Sequence, residues 1–176
     1  MEFTYIRRLS AFLRWAVIFT AMALLIMLLG LTLYPPVMNT VVQNSFGDIS
    51  ANGLPLTKHL LLSTLAALLL LPSFRALHML WRLFTSYTKG AVLSERAAAT
   101  VKSLGKAILA MGMASILAPT LVVLVLTFDN PADGKQLLIQ ISASSYLLLL
   151  FGGLIMTIGW AMVEAARINT DNKAII

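Results

Sequence analysis

The stretch WAVIFTAMALLIMLLGLTLY, from Trp15 to Tyr34, decides the fold class. Its 20 residues carry no charge. At about 1.5 Å per residue a helix of this length spans roughly 30 Å, the thickness of a bilayer's hydrocarbon core. Arg7, Arg8 and Arg14 precede it, which superficially resembles a secretory signal. The run exceeds the roughly 7–15 apolar residues of a signal, and Leu33-Tyr34-Pro35-Pro36 offers no small-x-small cleavage site. It reads as an uncleaved anchor, ended by the two prolines.

The rest of the chain is built in the same way. Hydrophobic residues make up 59 % of its 176 residues and charged residues 11 %, too few charges to cover the surface of a water-soluble domain. There are no cysteines, so disulfides and thiolate metal sites are ruled out. A second apolar run, Leu60 to Phe74, is short for a crossing, but Lys58 and Arg75 can snorkel toward opposite interfaces and complete it. Pro72 within it predicts a kink. A third run covers Ala107 to Phe128 and a fourth Leu137 to Val163, joined by the turn-rich Asp129-Asn130-Pro131-Ala132-Asp133-Gly134. The segment Val37 to Gly53 reads as an exposed polar loop with at most a short amphipathic turn at Val41 and Val42.

Charge placement orients these spans. Of 13 Lys and Arg residues, only Lys58 and Lys135 fall on the side of the first and third loops. Arg7, Arg8, Arg14, Arg75, Arg82, Lys89, Arg96, Lys102, Lys106, Arg167 and Lys173 fall on the side of the termini and the middle loop. The positive-inside rule therefore predicts cytoplasmic termini and a cytoplasmic middle loop. Trp15, Trp81 and Trp160 mark the same interface.

The middle loop is patterned. Phe74, Leu77, Trp81 and Phe84 recur at helical spacing past the expected bilayer surface, and Arg75, Arg82 and Lys89 share another face. Gly90 stops this helix, and Ser94 with Glu95 starts the next. The expected element is a basic helical hairpin over residues 75–106. It would present Arg75, Trp81, Arg82, Tyr87, Lys89, Arg96, Lys102 and Lys106 to a partner protein or to anionic headgroups. The bland reading is that an inner loop is basic because inner loops are.

The stretch Leu83-Phe84-Thr85-Ser86-Tyr87-Thr88-Lys89-Gly90-Ala91-Val92-Leu93-Ser94, followed by Leu104-Gly105, resembles the bacterial membrane family catalogued as domain of unknown function 2975. The resemblance extends over most of the chain and implies four spans. It implies no known chemistry. Members are often encoded beside small helix-turn-helix regulators, which implies a membrane partner in signalling.

Catalytic or ligating groups are sparse. His59 and His78 lie 19 residues apart, roughly 28 Å along one helix, so they cannot share a metal or a haem iron. Either could pair with a residue from another helix, and they are the candidate cofactor residues, but an interfacial histidine is more often an anchoring or solvated one. No cofactor is assigned. No ionisable residue sits deep in a span, which argues against ion-coupled transport. The nine methionines have no shared ligand spacing and read as apolar filler. Small residues at four-residue spacing, Ala110, Ala114 and Ala118 in the third span and Gly153, Thr157 and Ala161 in the fourth, predict helix-packing seams.

The expected architecture is all-α and integral to the membrane. It is an antiparallel four-helix transmembrane bundle with a cytoplasmic helical-hairpin extension of the second and third helices. One domain covers residues 1–176, with spans at about 12–34, 56–80, 107–128 and 137–163 and a polar tail at 164–176. The expected function is non-enzymatic: an accessory subunit of a membrane complex or the membrane arm of a regulatory pair, as a homo-oligomer or within a larger complex, in contact with anionic lipid and without direct nucleic-acid binding. The alternative is a small transporter or a lipid- or cofactor-binding membrane protein, haem included.

Overall fold

The computed structural model describes residues 2–46, 54–88, 94–129 and 140–173, with side chains described from Arg8 to Ile168 within them. Five α-helices account for nearly all of these residues, and the described residues contain no strand. They are α1 (Glu2–Leu33), α2 (Pro35–Phe46), α3 (Leu56–Thr88), α4 (Glu95–Thr127) and α5 (Ala143–Lys173). The four long ones hold 32, 33, 33 and 31 residues, so each is about 50 Å long at 1.5 Å per residue. All four are long and apolar enough to cross a membrane, and we treat the chain as a multi-pass membrane protein.

The surface of these helices fits lipid and not water. In the most apolar window of each, only 11 to 17 % of the residues are buried. Phe12, Phe19 and Ile26 on α1 are exposed, Phe19 by 76 %. Apolar area on this scale would drive aggregation in water, whereas lipid chains solvate it. Helices are required here because a segment in hydrocarbon must satisfy its own backbone. Hydroxyls inside the spans do likewise. Thr20 donates to Ala16 O, Thr64 to Leu60 O and Thr157 to Gly153 O, each one turn back.

The helices form a row of neighbours, α1 on α3, α3 on α4 and α4 on α5. Residue pairs give the level at which each meets the next. Leu31 packs near Leu62 at one end of α1, while Val17 and Ile18 face Leu77 and His78 toward the other. On α4, Gly105 abuts Met156, Gly112 abuts Leu149, and Lys102 lies under Gly159, so positions rise along α4 as they fall along α5. One end of the row therefore gathers Arg14, Arg75, Arg82, Arg96, Lys102 and Lys106, and we call it the basic end.

The closest approach is between α4 and α5. Gly105 and Gly112 are seven apart on α4, and Gly152 and Gly159 are seven apart on α5. All four are buried, and a Cβ on any of them would strike the facing helix. Two heptads of missing side chains let the backbones meet. Higher up, Ser115 Oγ lies 2.8 Å from Ser145 Oγ across the same interface, and Ser145 Oγ lies 2.8 Å from Ser142 Oγ.

Several sequence expectations need correction. Val37 to Phe46 is not a loop, because it belongs to α2. Pro35 and Pro36 lack the N–H groups that the first turn of a helix leaves unused, so they start α2 as well as ending α1. Met38 and Val42, one turn apart, bury themselves against Leu31, Leu62 and Leu126. Residues 47–53 lie outside the described residues. The fourth helix starts at Ala143, not Leu137. Gln140 to Ser142 are not helical, and the Ser142 hydroxyl caps the helix by accepting from Ser145 N at 3.1 Å. Residues 137–139 lie outside the described residues. The tail is helical as far as Lys173. As expected, Pro72 lies inside α3 without ending it. Ala110, Ala114, Ala118, Gly153, Thr157 and Ala161, expected as seams for internal packing or for self-association, do not form the internal α4–α5 contact. Ala110, Thr157 and Ala161 are exposed, and a Cβ on Gly153 would meet nothing within 4 Å. A four-residue spacing precesses around a helix, whereas the contact with α5 follows a seven-residue repeat.

Candidate functional site

Past Ser73, helix α3 carries three distinct faces. Ala76, Met79, Leu80 and Leu83, at helical spacing, point into the molecule, where Ala76 packs with Leu104 and Ala107 of α4. Arg75, His78 and Arg82 share a second, exposed face. Phe74, Leu77, His78 and Trp81 line a groove against Val17, Ile18 and Ala21 of α1, with a volume of about 370 Å³. The His78 and Trp81 rings stack at 6.2 Å between centroids, with 29° between their planes. Ala21 is the smallest residue on the α1 wall.

The last turns of α3 close on themselves. Thr85 donates to Trp81 O at 2.7 Å, Ser86 to Arg82 O at 3.1 Å and Thr88 to Thr85 O at 2.9 Å. Helix α4 opens on the Ser94 cap, whose Oγ accepts from Ala97 N at 3.2 Å, with Glu95 favourable in the first turn. Ala97 and Ala98 are fully covered, so α4 packs tightly from its first turn.

Of the surface residues named from sequence, Arg75, Trp81, Arg82, Arg96 and Lys106 are exposed, Tyr87 and Lys102 are half-buried, and Lys89 lies outside the described residues. Among the described residues, none of Arg14, Arg75, Arg82, Arg96, Lys102 and Lys106 forms an ion pair. The basic end thus carries cationic charge that the described chain does not neutralise.

The opposite end is different. Lys58, expected to snorkel outward, turns onto α4 instead. Its Nζ donates to Leu126 O at 2.8 Å and lies 3.5 Å from an Asp129 carboxylate oxygen. Leu126 is in the last turn of α4, where carbonyls lack helical partners and favour a cation. His59, expected to be an anchoring or solvated residue, is only 5 % exposed. Its Nε2 and the Oδ1 of Asn39 on α2 are buried without hydrogen bonds. His59 lies near the start of α3 and His78 19 residues further along it, and the two are not brought together. Among the described residues no three His, Asp or Glu side chains cluster as a metal site.

The family described as "Protein of unknown function (DUF2975)" matches residues 11–176, a stretch that takes in most of α1 and all of α2 to α5. The chain belongs to that family. The DUF2975 match covers the basic end, the α1–α3 groove and the Lys58 latch alike. No curated protein and no solved structure matches the chain.

Proposed function

We propose that this chain is a non-enzymatic membrane protein that works through a protein partner docked on its basic end. It would be an accessory subunit or the membrane arm of a regulatory pair. In this reading the row of helices is an antiparallel four-span bundle in a bacterial inner membrane, with both termini and the α3–α4 hairpin in the cytoplasm. The observation that carries it is the charge at the basic end, where Arg75, Arg82, Arg96, Lys102 and Lys106 form no ion pair among the described residues, on helices longer than a bilayer is thick. Helices α3 and α4 are each about 50 Å long, some 20 Å more than a hydrocarbon core of about 30 Å. If the bilayer ends near Arg75 and Lys106, the excess is a capped helical hairpin whose Arg82, Arg96 and Lys102 are free of ion pairs among the described residues.

Photo-crosslinking tests this. A photoreactive residue at Arg82 or Arg96, in native membranes, should yield one protein adduct of fixed stoichiometry. The same residue at Trp160, exposed on α5, should not. Absence of adducts at the hairpin positions, with the protein running as a monomer, would remove the support for this reading.

A second reading, a small transporter or a lipid- or cofactor-binding protein, draws on the groove beside His78. If the groove held haem, the purified protein would show a Soret band that His78→Ala abolishes and His59→Ala leaves.

A further inference from the structure

The α1–α3 groove has a polarity gradient that fits one ligand class. Its deep part is apolar, walled by Ala21, Ile18 and Phe74. Its other part carries His78 and Trp81. Arg14 precedes Val17, Ile18 and Ala21 by three, four and seven residues, so it shares their face of α1, level with Trp81 of α3. Arg75 and Arg82 flank His78 at three and four residues. Arg14 and Arg82 thus lie at the Trp81 end of the apolar trough, with Arg75 beside its apolar part, and none of the three forms an ion pair among the described residues. Guanidinium is the side chain best matched to a phosphate, through paired N–H donors. Trp81, 40 % exposed, has the amphipathic ring that settles where hydrocarbon meets headgroups. Charge and depth agree on one occupant.

We propose that this groove holds an acyl chain of one anionic phospholipid, with its phosphate at Arg14 and Arg82. The lipid wedges between α1 and α3 and joins the outermost helix of the row to the rest. This takes up the groove of the second reading and names its occupant, and it stands whether or not a protein docks on the hairpin. Zwitterionic lipid lacks the net charge that the arginines select, so it passes through the same trough without residence.

Tryptophan quenching tests the proposal. The chain has three tryptophans, so W15F/W160F leaves Trp81 alone and W15F/W81F leaves Trp160 as a reference for bulk lipid. The full chain is reconstituted with phosphatidylglycerol or phosphatidylcholine brominated on the acyl chain, at equal mole fraction. Trp81 should be quenched more strongly by the brominated phosphatidylglycerol, and Trp160 equally by both. The preference at Trp81 should fall about fivefold for each arginine removed in R14Q and R82Q. Equal quenching of Trp81 by the two lipids would overturn the proposal, as would shielding of Trp81 from both, which would mean that protein covers the groove. If the tryptophan variants do not fold, native mass spectrometry of the unmutated chain decides. One retained phosphatidylglycerol, insensitive to added inorganic phosphate and reduced in R14Q, supports the site. A bare protein or a retained phosphatidylcholine overturns it.

Discussion

Replacing Gly105 by alanine should loosen the α4–α5 pair, and the structure gives the size of the effect. A Cβ on Gly105 would sit 2.5 Å from Met156 Cα and 2.7 Å from Met156 Cβ, where ordinary contact begins near 3.4 Å. The obstruction is helix backbone, which cannot rotate away as a side-chain tip can. The two helices must part by close to 1 Å. A gap of about 0.5–1 Å forfeits a quarter to a half of the dispersion attraction of each contact it opens, and overpacking of this kind typically costs about 1–3 kcal/mol. Alanine's better helix propensity offsets up to about 1 kcal/mol. Gly153→Ala is the control. It gains the same propensity and meets nothing within 4 Å, so it should be neutral or slightly stabilising. Gly159→Ala pushes on Lys102 at the same interface. One separation relieves both clashes, so the double variant should cost less than the sum of the singles. The assay is titration of detergent-solubilised protein with sodium dodecyl sulfate, followed by circular dichroism. Equal midpoints for Gly105→Ala and Gly153→Ala would refute the seam.

Other substitutions probe the ends of the helices. Lys58→Met removes a charged donor from Leu126 O, in a side chain only 16 % exposed, and should cost about 1–2 kcal/mol in the same titration. Asp129→Asn should cost less than about 1 kcal/mol, because Asp129 is 66 % exposed and its attraction is screened. Ser94→Ala removes the α4 cap and should cost about 1 kcal/mol, with faster hydrogen exchange in the first turn of α4 as the local sign. His59→Leu removes a buried Nε2 without a hydrogen-bond partner, a group whose desolvation costs about 1–3 kcal/mol. It should therefore leave stability unchanged or raised. A clear loss of stability would show that Nε2 is satisfied in the membrane by a water or a ligand.

Much of this architecture was readable because a bilayer sets a simple requirement. Charge-free runs such as Trp15 to Tyr34 had to be helical, and Ser94-Glu95 marked the start of α4 through ordinary capping chemistry. The apolar positions Phe74, Leu77 and Trp81 were visible as a stripe, but the groove they form needed the α1 face beside them. Helix α2 was hidden because its polar residues matched a loop and its prolines were read only as stop signals. The signal that was present was Met38 and Val42 one turn apart behind a proline at the first helical position. The packing seam was misplaced because small residues abound in α4 and α5, and spacing by four is common in them. The repeat by seven in Gly105, Gly112, Gly152 and Gly159 was the discriminating pattern. The turn of Lys58 onto Leu126 O was not legible, since snorkelling outward and capping a neighbouring helix make the same demand on sequence.

The central claim is a four-span chain with its basic end in the cytoplasm, and single-cysteine labelling addresses it most directly. The chain has no cysteine, so Asp48→Cys and Lys89→Cys each create a unique site. A membrane-impermeant maleimide applied to sealed right-side-out vesicles should label the variant at Asp48 and not the one at Lys89. Inverted vesicles should give the reverse. Labelling of both from the same side would contradict the account.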